Sequence, residues 1–151
     1  MDLVSIQQQD FDHQECYAQL CTDAKQGAIV TFTGLVRDFS ADQALSAIEL
    51  EHYPGMTEKA LQVLVAKAHA RFDIAKVVLI HRIGRLSANE QIVFVGVSSQ
   101  HRKSAFEAAQ FLMDRLKNDV PLWKKEIDTS GKARWVAAKE SDRQAGESWS
   151  Q

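Results

Sequence analysis

Apolar positions along the 151-residue chain recur with two different periods, and the switch between them marks out the elements. Residues 57–72 carry apolar side chains at 61, 64, 65, 68 and 72, the spacing of an amphipathic helix. Residues 100–116 repeat it, with Ala105, Ala108, Ala109, Leu112 and Leu116 on one face. Residues 12–23 form a shorter helix candidate, with Asp12 placed to cap it and Tyr17, Leu20 and Cys21 on one side. Elsewhere the pattern changes to that of strands. Residues 28–36 (AIVTFTGLV) are β-branched and almost continuously apolar, which suits a buried strand. Residues 45–53 alternate, with Ile48, Leu50 and His52 opposing Glu49 and Glu51, as in a half-exposed strand. Residues 3–8 read as an edge strand. Residues 77–83 and 91–97 read as apolar strands, the first ended by Gly84. Two short strands, 123–127 and 134–138, flank a Ser130-Gly131 turn, and Pro54-Gly55 is another turn. Residues 37–43 are a polar loop, and residues 141–151, from about 143 above all, read as a frayed tail. The sum is one mixed α/β domain over residues 1–151, with two main helices packed on a sheet.

Composition narrows the class. An apolar fraction of 45% and a charged fraction of 25% are ordinary for a globular domain. No apolar run approaches the roughly 18 residues needed to span a bilayer. The opening Met-Asp-Leu-Val-Ser-Ile lacks the pattern of a signal peptide, so the expected location is the cytoplasm. Cys16 and Cys21 fit neither a redox pair nor a zinc pair and are expected as buried or partly buried free thiols. The five histidines are scattered, and no metal is expected. The net charge of −2 conceals an asymmetry. Residues 1–30 hold five acidic and one basic residue, whereas residues 101–143 hold ten basic and seven acidic. The C-terminal half therefore suits an anionic ligand, but it is too weakly basic for duplex nucleic acid.

Residues 117–126 (KNDVPLWKKE) concentrate the candidate chemistry. Pro121 stops the helix and biases Val120 toward extended geometry, so Lys117 sits at a helix end and Lys124 follows a change of direction. Two ammonium groups from different elements can then be aimed at one pocket. Lysines near a helix C-terminus also complement its dipole as plain solvated residues. A lysine crowded by cations or partly desolvated has a lowered pKa and can serve as acid, base or nucleophile near neutral pH. Ser99-Gln100-His101-Arg102-Lys103 opens the second long helix, where cations oppose the dipole but exposed amides attract an anion. A bound phosphate would resolve that conflict. Arg37 follows a strand, where it can meet a ligand or pair with Asp38. On pattern alone, Phe32 and Met113 read as packing residues.

Six segments in order carry a resemblance: VTFTGLVR (30–37), LEHYPGMTEKAL (50–61), VLIHRIG (78–84), IVFVGVSSQHRKSAFEAAQFLMDRLK (92–117), PLWKKE (121–126) and RWVAAKESD (134–142). Together they closely resemble the large subunits of molybdopterin synthase. That resemblance implies an α/β hammerhead-type fold with an additional small antiparallel sheet. It implies a sulfurtransferase that makes the dithiolene of molybdopterin from cyclic pyranopterin monophosphate, with no further cofactor. The implied sulfur donor is the C-terminal Gly-Gly thiocarboxylate of a small ubiquitin-like subunit. The implied assembly is a homodimer of large subunits within a heterotetramer, with no nucleic acid and no membrane. By position, Lys117 and Lys124 match the family's catalytic lysines. Arg37, His101 and Arg102 match its anion pocket, and Phe32 and Met113 its lining. Lys139 stands where an arginine is common, and lysine cannot form the bidentate fork. Two other readings compete: a non-enzymatic adaptor that holds a ubiquitin-like tail, and a single-stranded RNA binder stacking bases on Trp123 and Trp135.

Overall fold

The computed structural model describes residues 1–40, 43–137 and 140–149. The first sheet has the order β1-β5-β7-β2, from Leu3–Gln7, Lys76–Arg82, Gln91–Ser99 and Ala28–Leu35. β1 runs parallel to β5; the other pairs are antiparallel. Alternation in β5 and β7 explains how both faces are covered. Val77, Leu79, Val93, Val95 and Val97 point into one core with α2 (Met56–Arg71) and α3 (Arg102–Asp119). Val78, Ile80 and Phe94 point into a second with Phe11 and the short helix α1 (His13–Leu20). Gly96 faces this second core. A Cβ there would collide with Leu20 and Phe94, so only glycine lets α1 lie so close.

A second, antiparallel sheet is built on β4 (Gln43–His52). β8 (Leu122–Asp128) pairs along it, β9 (Ala133–Val136) adds to β8, and β3 (Phe39–Ser40) and β6 (Gly84–Ser87) pair with β4. Val36, Ile48, Leu50 and Leu86 form its core. The result is a mixed α/β fold with two main helices on one sheet and an additional antiparallel sheet.

Several elements differ from the sequence pattern. α1 ends at Leu20, although Asp12 caps it as expected, its carboxylate accepting from the Glu15 amide at 3.0 Å. Cys16 is buried, but Cys21 follows the helix and is exposed. The apolar strand β2 lies at the edge of its sheet rather than inside it, and Phe32 is 44% exposed. Gly84, with φ +86, redirects the chain into β6 instead of ending a strand in a loop. The polar loop contains β3. The tail expected to fray carries α4 (Glu140–Glu147), and Trp149 beyond it packs edge-on against Phe72 and Phe111.

His81, at 6% exposure, is buried on β5 with Nδ1 at 2.7 Å from the Arg82 carbonyl. Burial pushes its pKa down from 6.5 to about 4, against a smaller upward pull from that carbonyl. The unfolded chain therefore takes up a proton near 6.5 that the folded chain refuses until about 4. Stability is complete above pH 6.5 and declines as pH falls to 4, by about 3 kcal/mol from this group. Urea midpoints at pH 7.5 and 4.5 measure the decline, and it should shrink markedly in His81→Gln.

Candidate functional site

α3 begins with little help from its own sequence. Its N-cap, His101, is extended (φ −130, ψ 145), makes no side-chain cap, and no acid occupies the first turn. The His101 amide donates to Ser99 Oγ at 3.3 Å, and Ser99 Oγ donates to the Asp73 carbonyl at 2.8 Å. His101, Arg102 and Lys103 are all exposed. Cations and unsatisfied helix amides thus share one end, an arrangement that favours an anion.

The other end carries Lys117. Between α3 and β2 runs a groove of about 350 Å³. β2 contributes Val30, Thr31 and Phe32, and α3 contributes Phe106, Ala109, Gln110, Met113, Asp114 and Lys117. Asp142 of α4 completes the lining. The Asp142 carboxylate meets Lys117 Nζ with both oxygens at 3.3 Å. The walls are mixed, with Phe32, Phe106 and Met113 set against Gln110, Asp114 and the Lys117–Asp142 pair, which marks one end of the α3 contribution. Met113 does two jobs, packing partly against the main core while lining the groove.

The structure therefore brings Phe32, Met113 and Lys117 together, and holds His101 and Arg102 away from them. Arg102 and Lys117 stand at opposite ends of one straight element, about 22 Å apart at 1.5 Å per residue. Arg37 belongs with the lysine end. The Gly27 amide donates to the Ser99 carbonyl at 3.0 Å, which ties the start of β2 to the start of α3. β2 then runs the same way as α3, and Arg37 lies past its far end, with its guanidinium 5.4 Å from the centre of the Phe39 ring. Lys124 sits on β8, opposite Leu50 and Val136. It does not line the groove. Its neighbour Lys125 pairs with Glu49 at 3.9 Å and lies 4.6 Å over the Trp135 ring. The corner between the two lysines is anchored: Thr57 Oγ1 donates to the Pro121 carbonyl at 2.9 Å. Lys139 lies outside the described residues.

Phe106, Gln110 and Asp142 escaped the sequence reading. The available signal was Phe106, a large apolar residue off the Ala105–Ala108–Leu112 stripe and 61% exposed. Among the described residues no three His, Cys, Asp or Glu side chains gather as a metal set, and no helix is long and apolar enough to cross a membrane.

The structure is a mixed α/β domain with exposed cations at both ends of one helix and a groove leading to one of them. The comparisons with known proteins place it in a family. The MoaE protein family profile matches residues 6–119. A molybdopterin synthase catalytic subunit of Escherichia coli is 51% identical over 141 residues, covering 93% of each chain. Its counterpart in Pasteurella multocida is 47% identical over 146 residues, covering 97% of each. The solved molybdopterin biosynthesis MoaE protein of Burkholderia ambifaria superposes with a TM-score of 0.83 at 43% identity, over 100% of this chain and 99% of that one. Molybdopterin synthase from Staphylococcus aureus gives 0.82 at 31% identity, over 91% and 98%. The chain belongs to the MoaE protein family, that of molybdopterin synthase catalytic subunits.

Phe32 and Phe106 hold large apolar surfaces in water, so the fold gains little from them. Replacing either with Ala should move the unfolding free energy by about 0.5 kcal/mol or less. Leu112→Ala, in the buried stripe, should cost about 2–5 kcal/mol. Urea titration of the three variants checks the contrast.

Proposed function

We propose that the chain transfers sulfur from the thiocarboxylated C-terminus of a small ubiquitin-like carrier to cyclic pyranopterin monophosphate, forming the dithiolene of molybdopterin. The observation that carries this reading is the groove between β2 and α3 that ends at Lys117. A Gly-Gly tail has no side chains to obstruct a narrow channel, and its terminal group is anionic. Phe32, Phe106 and Met113 offer it apolar contact, and the Lys117 ammonium offers the charge that draws it in. Lys117 acts as the principal acid or base at the reacting carbon and sulfur. Lys124 supports charge and substrate position. Arg37, His101 and Arg102 hold the phosphate and the pterin, and Phe32 and Met113 line the approach.

The length of α3 adds a condition. Within one chain the His101–Arg102 end lies about 22 Å from Lys117, too far for one substrate to touch both. The reading therefore requires a second copy of the chain, whose helix start completes the site made by the first. A two-fold dimer supplies two such composite sites.

Lys117→Ala should reduce dithiolene formation from a thiocarboxylated carrier by about 10²–10⁴-fold. Arg102→Ala should chiefly raise the substrate KM. Unfolding and refolding the two variants together tests the composite site. With substrate well below the raised KM of the Arg102 variant, half of the dimers would then carry one intact site, restoring roughly a quarter of the wild-type rate. If each chain works alone, the mixture is no faster than the average of its components. A carrier complex that binds but forms no dithiolene would favour the adaptor reading.

A further inference from the structure

Asp142 places a carboxylate on the lysine that the proposed reaction needs for another anion. α4 (ESDRQAGE) has good helix formers and an internal Arg143–Glu147 pair at 2.9 Å, but a helix of eight residues is too short to hold itself, so it leans on α3 for its order. Asn118 Nδ2 donates to the Asp142 carbonyl at 2.9 Å and to the Asp114 carbonyl at 2.8 Å. Arg115 donates to the Gly146 carbonyl at 2.9 Å. Gly146 lies so close to the Asn118 side chain that a Cβ would collide with it. Beyond α4 the anchor is stronger. Trp149 Nε1 donates to Asp114 at 2.8 Å, its carbonyl accepts from Arg71 at 2.6 Å, and its ring packs against Phe72 and Phe111. The segment is thus fixed firmly at Trp149 and held along α3 by Asn118 and Arg115, and the half-exposed Lys117–Asp142 pair at the groove is the one of these contacts that a charged competitor can take over.

We propose that α4 is a built-in strap whose Asp142 carboxylate occupies the site of the carrier's terminal carboxylate, and that the incoming tail displaces it from Lys117 while Trp149 keeps the strap tethered. This rests on the sulfur-transfer reading of the same groove. Two features point to displacement rather than a fixed structural pair. Asp142 lines the groove, and its partner is the one cation among the described residues of that lining.

The test uses the full-length protein with a synthetic peptide ending in Gly-Gly carboxylate. Amide hydrogen exchange over residues 140–147 and peptide affinity are measured for wild type, Asp142→Asn and Lys117→Ala. The peptide should speed exchange across α4 in the wild type while the Trp149 indole N–H, bonded to Asp114, stays protected. Asp142→Asn should speed it without peptide, and should bind the peptide about two- to fivefold more tightly. Lys117→Ala should also release α4 but lose peptide affinity. Wild-type binding with α4 exchange unchanged, or equal or weaker binding by Asp142→Asn, overturns the strap and leaves the sulfur-transfer reading standing. No peptide binding by wild type or Asp142→Asn overturns both.

Discussion

Ala105, Ala108 and Ala109 present almost no side chain to the sheet, so α3 can lie close against β7 and β2 with Leu112 and Leu116 filling the space beyond. That seating fixes where the charges of the site stand. A straight 18-residue helix pressed on a sheet cannot flex to bring its ends together. Its start exposes His101 and Arg102 with unsatisfied amides. Its end holds Lys117 beside the outer strand of the sheet. Because β2 is the edge strand, the angle between it and α3 stays open as a groove instead of being closed by another strand. One packing stripe therefore makes the groove and also separates it from the cations at the start of the helix, which is why the proposed reaction calls on a second copy.

The periodic part of this arrangement was legible in the sequence, and the part set by tertiary contact was not. Both main helices and the strands 77–83 and 91–97 follow from spacing, because alternate β5 and β7 residues feed two cores. The position of β2 did not follow. A run such as AIVTFTGLV reads as buried whether its apolar face meets a neighbouring strand or a ligand groove, and Phe32 meets the groove. β6 was hidden because Gly84 signals a break, while a positive φ also lets the chain turn and pair again within four residues. α4 was hidden because it has no apolar stripe to signal a buried face and is too short to form alone. Its order comes from Asn118 and Arg115 of α3 and from Trp149, wedged against two phenylalanines distant in sequence.

The site divides along the same line. Cations were conspicuous because Arg102 and Lys103 oppose a helix dipole and because Lys117 and Lys124 flank a proline corner. Their grouping was invisible, since only the length and seating of α3 reveal which can act together within one chain. Asp142 gave no signal at all, because an acid among polar residues near a terminus is the commonest surface pattern there is.

An exposed ammonium group at the end of a groove would attract any small carboxylate in solution. Keeping a carboxylate of the same chain on it raises the threshold for every outside anion by the same modest factor, since a half-exposed pair contributes little. That factor discriminates only in combination with docking. A carrier held on the surface presents its tail at an effective concentration on the order of millimolar, and a weak internal competitor then gives way. A free metabolite at lower concentration has no such advantage and meets an occupied lysine. In the proposed strap, the weakness of the Lys117–Asp142 contact is therefore what would let it sort partners: a stronger pair would exclude a carrier's tail too, and no pair would leave the groove open to every anion.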